Sequence, residues 1–225
     1  MSKFSRHNAE VAMAAGEISL RSAELAAGGV HGDQALVDRC RQGDPQAFAR
    51  LVAVHEGMVF NLAARLIGDL EEAKDIAQDV FLQVYRTLGR FEGRSSLKTW
   101  IYRIVVNQCH NRQRWWRRRR KDRSQPIELM TAADEARLVS AGPDTPSPFE
   151  QVRRQERAQT VQAALLTLSF DHRAILLLRE VEGLSCEAIS AALGVPSGTV
   201  KSRLARARDA LRERLVSRLA EGDRP

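Results

Sequence analysis

Apolar residues from Leu36 to Leu215 recur at intervals of three and four, and no stretch shows the alternation of a half-buried strand. The pattern therefore predicts helices throughout. Asp33 is placed to cap a short first helix that ends near Gly43, with Leu36, Val37 and Cys40 on one face. Asp44-Pro45 is a cap followed by a first-turn proline. The helix it opens carries Phe48, Leu51, Val52, His55, Val59, Leu62, Ala63 and Leu66 on its inner side and breaks at Gly68-Asp69. A third helix is predicted over 70–88, burying Ala73, Ile76, Ala77, Val80, Phe81 and Val84. After a loop over 89–96, a fourth starts near Ser96 and buries Leu97, Trp100, Ile101, Ile104, Val105 and Cys109. It runs on into the arginine-rich stretch 112–121.

Pro126, Pro143, Pro146 and Pro148 interrupt the periodicity, because proline blocks helix propagation. Residues 122–149 are therefore read as a flexible linker between two helical domains, 33–121 and 150–219, with a short tail at 220–225. Residues 1–32, rich in Ala, Gly and Ser, are read as a poorly ordered extension set off by Gly28-Gly29 and Gly32. The expected fold is all-α: a helical bundle, then a second domain built around a helix-turn-helix.

That second motif is the sharpest local signal. Ser185 is a cap candidate, Ile189 and Leu193 point inward, and Ser190 is small where two helices cross. Gly194 stands where the turn needs a positive φ, and Pro196 stops the first helix. The following helix buries Val200, Leu204, Ala207, Leu211 and Leu215. Its other side offers Thr199, Lys201, Ser202, Arg203 and Arg206, with Ser197 at its start. A basic, hydroxyl-rich helix N-terminus suits the DNA major groove, where Arg and Lys reach guanine O6 and N7. A hairpin with a solvated charged face is the plainer alternative; agreement between turn, core spacing and outer charge favours DNA.

Charge sharpens the picture. Of 225 residues 44% are hydrophobic and only 5% aromatic, and the net charge is +7, which points to a polyanionic partner. Cys40, Cys109 and Cys186 are isolated and odd in number, so they are read as reduced thiols in a cytoplasmic protein, not as a disulfide frame or zinc site. No metal or other cofactor is expected. No apolar run of the length of a membrane span and no secretory signal is read, so membrane insertion is not expected.

Within this basic chain Glu71, Asp75 and Asp79 recur every four residues. DNA would repel such a stripe, so it is expected to face a protein, unless it is merely solvated. A metal-dependent nuclease on these carboxylates is disfavoured: they stand about 6 Å apart along one helix with no converging ligands. No enzyme activity is expected. The fourth helix presents Thr99, Arg103, Asn107, His110 and Arg114 opposite its apolar face, a polar, basic stripe suited to phosphates. Trp100 falls on the apolar side and is equally well read as core or as a base contact. Trp115 and Trp116 are open between insertion at nucleic acid and cover for the core edge. The positive run 117–121 repels itself, and a polyanion would relieve it.

At this point the chain resembles the sigma-70 family, specifically its compact extracytoplasmic function group. Asp75-Ile76-Ala77-Gln78-Asp79-Val80-Phe81 is similar to the family's region 2.2. Residues 91–107, from Phe91-Glu92-Gly93-Arg94-Ser95-Ser96 through Leu97-Lys98-Thr99-Trp100 to Asn107, resemble regions 2.3 and 2.4. His172-Arg173-Ala174-Ile175-Leu176-Leu177-Leu178-Arg179-Glu180, Glu182-Gly183-Leu184-Ser185 and Gly198-Thr199-Val200-Lys201-Ser202-Arg203-Leu204 resemble region 4. The likeness covers about residues 33–120 and 150–215.

The resemblance implies roles. Asp75, Gln78 and Asp79 would dock on the core RNA polymerase. The loop with Phe91, Arg94, Ser95 and Ser96 would capture a flipped base of the −10 element, and Lys98, Thr99, Trp100, Arg103 and Asn107 after it would hold the melted strand. Ser197, Thr199, Lys201, Ser202, Arg203 and Arg206 would read the −35 element. The chain would then be an alternative sigma factor for a stress or envelope regulon, with core polymerase and promoter DNA as partners and an anti-sigma factor as regulator. Two departures stand out: Leu168-Ser169-Phe170-Asp171 lacks the family's proline, and Cys186 stands where many members carry Tyr. A competing reading is a free-standing DNA-binding regulator that dimerises through its first domain.

Overall fold

The structure is a computed structural model that describes residues 30–120 and 148–222. Residues 122–147 of the linker expected over 122–149, most of the N-terminal extension and residues 223–225 lie outside the described residues; positions 148 and 149, expected as linker, instead open a helix, since proline is tolerated in a first turn. Eight α-helices and no strand occur among those described. The first half contains α1 (Val30–Arg41), α2 (Pro45–Ile67), α3 (Leu70–Thr87), a 3-10 turn (Leu88–Arg90) and α4 (Leu97–Arg120). The second contains α5 (Pro148–Thr167), α6 (Phe170–Leu176), α7 (Cys186–Leu193) and α8 (Ser197–Gly222).

Local chemistry sets most boundaries. Asp44 accepts from the backbone N–H groups of Gln46 at 2.9 Å and Ala47 at 3.2 Å, with Pro45 opening α2. The hydrogen bond from Arg39 holds the Asp44 carboxyl below its usual range, and the capped amides add to the effect. Asp69 caps α3 through Glu72 N–H at 3.0 Å, and Ser169 caps α6 through His172 N–H at 3.3 Å. The first helix departs from expectation. It begins at Val30, so Asp33 lies in its first turn, where the positive helix end favours a carboxylate, instead of capping it. A second departure follows α6, which passes into a π turn over Leu177–Val181.

Helix α2 is the axis of the first half. Leu51, Val59, Leu62 and Leu66 meet Ile76, Val80 and Val84 of α3 and Leu97, Ile101, Val105 and Cys109 of α4, all fully or nearly fully buried. Each such side chain contributes about 1.5–3 kcal/mol by leaving water. Two of the expected core members of α2, Val52 and Phe48, are only partly buried, as are Ala77, Phe81 and Ile104 on its partner helices; Phe48 lies at the bundle edge with its ring against Tyr85 at 5.1 Å. By length and composition α2 could also cross a membrane, but its apolar face is the centre of this bundle.

The second half packs Leu165, Leu168, Ile175, Leu178, Ile189, Val200, Leu204 and Ala207 together, and this cluster is continuous with the first. Helix α4 lies along α7, and α2 meets α5 and α6. Gln162 donates to the Arg65 carbonyl at 3.1 Å. Arg173, 3% exposed, donates to the carbonyls of Leu165 at 3.0 Å, Leu166 at 2.9 Å and Leu168 at 3.1 Å, and also to Leu66 at the end of α2. One guanidinium thus satisfies the C-terminal carbonyls of two helices from different halves. Burial pushes its pKa down to about 10, which leaves it charged at neutral pH.

Candidate nucleic-acid interface

The loop before α4 is shaped by three local interactions. Gly93 adopts φ +70°, a left-handed turn that costs little for glycine. Ser96 accepts the Thr99 N–H at 3.1 Å, and the two hydroxyls lie 2.8 Å apart, so Ser96 caps the helix. From the other side, Arg41 of α1 donates to the Phe91 carbonyl. The loop is thereby fixed at both ends.

These contacts form a pocket of about 400 Å³, within the usual range for small-ligand sites. Phe91 and Trp100 are its apolar wall, their ring centroids 5.4 Å apart. Arg90, Arg94 and Arg103 supply positive charge at its rim. Phe91 is buried, so it acts as wall and not as a projecting side chain. Trp100 packs against the core, as one of its two readings expected, and its exposed part lines the pocket. Arg94 and Ser95 lie on the loop surface, with Arg94 paired to Glu92 at 2.8 Å.

The polar stripe of α4 needs correction at two places. Thr99 is 5% exposed because the cap contact draws its hydroxyl to Ser96, so it lines the pocket from within and is not on the outer face. His110 is half-buried, its ring 5.0 Å from Phe170 of α6. Arg103, Asn107 and Arg114 remain exposed, as does Lys98, whose Nζ lies 5.7 Å from the Tyr102 ring. Farther along, Arg119 stacks on Trp115 at 4.2 Å, while Trp116 packs at the core edge. Arg117 and Arg118 are exposed; Lys121 lies outside the described residues.

The exposed surface of α3 carries the opposite charge. Asp75, Gln78 and Asp79 are exposed together. Arg112 of α4 reaches Glu72 at 2.8 Å and Asp79 at 3.4 Å, while Glu71 is paired with Lys74. Burial raises the Glu72 pKa and Arg112 opposes that shift. Sequence reasoning missed that the ridge continues with Leu82, 52% exposed, and Tyr85, 66% exposed. The signal was available: both are large apolar residues outside the helix's inward set, at helical spacing from Gln78 and Asp79.

In the helix-turn-helix, Ser185 accepts the Ala188 N–H at 3.1 Å and so caps α7. Gly194 has φ +67°, and its N–H bonds to the Ser190 carbonyl at 2.9 Å. The Ser190 hydroxyl donates to the Val195 carbonyl at 2.6 Å, fixing the turn. On α8, Ser197, Lys201, Ser202 and Arg206 are exposed and Thr199 is half-buried. Arg203 is also half-buried, 3.8 Å from Asp171. Cys186 is only partly buried, whereas burial pushes the Cys109 thiol up to about 12.

The comparisons with known proteins agree with this geometry. Residues 51–122 match Sigma-70 region 2, and residues 158–211 match Sigma-70, region 4. The chain is 38% identical over 192 residues to the RNA polymerase sigma-H factor of Pseudomonas aeruginosa, covering 84% of this chain and 96% of that one. It is 35% identical to the ECF RNA polymerase sigma-E factor of Escherichia coli, over 80% of this chain and 92% of the relative. Among solved structures, the sigma factor RpoE in complex with the anti-sigma factor NepR from Bartonella quintana has a TM-score of 0.58 at 26% identity, covering 79% of this chain and 98% of the other. With both regions present in this order and relatives of such identity along most of its length, the chain belongs to the sigma-70 family of RNA polymerase sigma factors, in its extracytoplasmic function group.

Proposed function

We propose that this alternative sigma factor divides a promoter between its two halves. The α3 ridge, Asp75, Gln78 and Asp79 with Leu82 beside them, docks on core polymerase. Its acidic character repels DNA, and its apolar end gives the contact a desolvated centre. The Phe91–Trp100 pocket takes an unstacked base of the −10 element. Stacking on an aromatic wall contributes roughly 1–3 kcal/mol and offsets much of the unstacking cost. Arg94, Ser95 and Ser96 of the loop, with Lys98, Arg103 and Asn107 of α4, hold the melted strand. Ser197, Thr199, Lys201, Ser202, Arg203 and Arg206 read the −35 duplex.

The single observation that carries this reading is the aromatic pocket ringed by arginines, at the residues that resemble the strand-capturing part of the family. The bond chemistry stays with the polymerase, and the protein works in the cytoplasm, where polymerase and chromosome are. An anti-sigma factor is a fitting regulator, since the similar RpoE was crystallised with one.

The test is transcription reconstituted with core enzyme. Trp100→Ala should lower promoter opening on duplex DNA and be rescued largely on a template already melted at the −10 element. A free-standing regulator would instead bind a duplex operator tightly alone. Promoter opening that proceeds equally well without the protein would overturn the reading.

A further inference from the structure

The loop that walls the aromatic pocket is held from behind by a helix that does not itself line the pocket. Gln34, Asp38 and Arg41 of α1 are spaced i, i+4, i+7 and share one face of that helix. Gln34 Nε2 donates to Asp38 Oδ1 at 3.1 Å, and Arg41 Nη1 donates to the same oxygen at 3.1 Å. The other terminal nitrogen of Arg41, Nη2, donates to the carbonyl of Phe91, fifty residues onward. Gln34 backs the same loop at its turn: a Cβ built on Gly93 would lie 3.6 Å from Gln34 Oε1.

Helix α1 is a fixed frame for this contact. Val37 sits in the core with no exposure. Arg39 grips Asp44, the cap of α2, through Nε at 3.0 Å and Nη2 at 2.7 Å. Arg41 is therefore delivered from a helix anchored to the rest of the bundle, and its reach to Phe91 has little slack.

Phe91 is the residue where such a hold has consequences. Its ring and that of Trp100 form the apolar wall. Its N–H is bonded to the Leu88 carbonyl at 3.1 Å. With Arg41 on its carbonyl, both of its backbone polar groups are held, and the ring stands at one place. Serving a carboxylate and a carbonyl at once needs the planar fork of a guanidinium. A lysine ammonium on its flexible stem can serve one of the two at good geometry, but not hold both in register.

We propose that Arg41 is a positioning residue for −10 recognition: braced by Asp38 and Gln34, it fixes the Phe91 carbonyl and so sets the aromatic wall against which the unstacked base is held. This rests on the assignment of the pocket to the −10 element. Arg41 acts through Phe91 and contacts no nucleotide.

The test uses holoenzyme assembled from the full chain and core polymerase. The probes are two fork-junction promoter fragments whose single-stranded −10 segment carries either the native base or an abasic site at the captured position. The ratio of the two affinities isolates base capture, because phosphate attraction is common to both fragments. Arg41→Met should lower that ratio by about three- to tenfold, as expected for losing a charge-assisted hydrogen bond from a side chain that is 32% exposed. Asp38→Asn keeps the guanidinium but loosens its brace, and should lower the ratio less. Arg41→Lys should recover part of the loss. Affinity for core polymerase and for a −35 duplex should stay within about twofold of wild type, since both surfaces lie on other elements.

An unchanged ratio in Arg41→Met would overturn the proposal. So would equal weakening on both fragments with a salt slope lower by about 1, which would make Arg41 a phosphate contact. Loss of core and −35 binding in parallel with the ratio, in Asp38→Asn as well as Arg41→Met, would reduce the contact to general stability and overturn it too. Trp100→Ala, measured alongside, judges the pocket itself. If it discriminates like wild type, the pocket assignment fails and the proposal with it. If it loses discrimination while Arg41→Met keeps it, only the role of Arg41 fails.

Discussion

Arg112 on α4 binds the Glu72 carboxylate on α3 at 2.8 Å and reaches Asp79 with its other nitrogen at 3.4 Å. The ridge proposed to dock on polymerase is thus pinned from behind by the helix proposed to carry the −10 DNA face. The two aspartates should behave differently when reversed. Asp75→Arg, on the exposed side, should weaken core binding about tenfold or more, through like-charge juxtaposition at the contact, and leave stability unchanged. Asp79→Arg should weaken core binding similarly. It should also lower unfolding free energy by roughly 0.5–1 kcal/mol, since it places two guanidiniums together at a half-exposed site. Pull-down titrations and urea midpoints measure both. Normal core affinity of Asp75→Arg would remove the ridge from the interface.

Gly68 closes α2 at φ +81°, and a Cβ built there would lie 2.7 Å from Cδ1 of Leu166, a residue of α5. Gly194 has almost the same backbone, φ +67°, but nothing within 4 Å of such a Cβ. Alanine at Gly194 should cost only the left-handed backbone penalty, about 1–2 kcal/mol. Alanine at Gly68 should cost more, because the Leu166 side chain must also move. Equal losses in thermal or urea unfolding would show that Leu166 yields freely.

His55 is 8% exposed on the inner face of α2, and desolvation lowers its pKa from the usual 6.5, with Lys98 assisting and Asp33 opposing. The sign follows from proton counting. Below pH ~6.5 the unfolded chain binds a proton that the folded chain resists, so stability present above that value is lost as pH falls. His55→Gln should flatten the decline in melting temperature between about pH 6.5 and 5 relative to wild type. Parallel curves for the two proteins would assign the acid sensitivity elsewhere.

Most of the bundle is legible in the hydrophobic period, because caps such as Asp44 and Ser185 and breaks such as Gly68 and Gly194 act within a turn of themselves. Long-range pairings were not legible. The periodicity of α4 marks Thr99 as outward, but its hydroxyl is taken by Ser96, and His110 is covered by Phe170, which lies sixty residues onward in a different helix. Arg173 reads as one charge among many; only folding brings four carbonyls around it. Leu82 and Tyr85 were visible but unused, since an apolar residue off the core stripe has no assigned role until its exposure is known.

On α8, Arg206 projects freely into solvent, whereas Arg203 stands 3.8 Å from Asp171 and is partly covered. Both lie in the N-terminal half of a helix of 26 residues, the portion proposed to enter the major groove of the −35 duplex. Alanine at either position should weaken −35 duplex binding by about 1–3 kcal/mol if the guanidinium reads a base edge. Discrimination between the native and a scrambled −35 sequence should fall by the same amount. A contact to phosphate alone would instead weaken both duplexes equally and reduce the salt slope by about 1. Asp171→Asn sharpens the comparison: releasing Arg203 should tighten binding by no more than about 1 kcal/mol, the usual ceiling for an exposed ion pair. Binding isotherms at two salt concentrations on both duplexes provide all four quantities. Wild-type discrimination retained in Arg203→Ala and Arg206→Ala together would assign −35 readout to Thr199, Lys201 and Ser202.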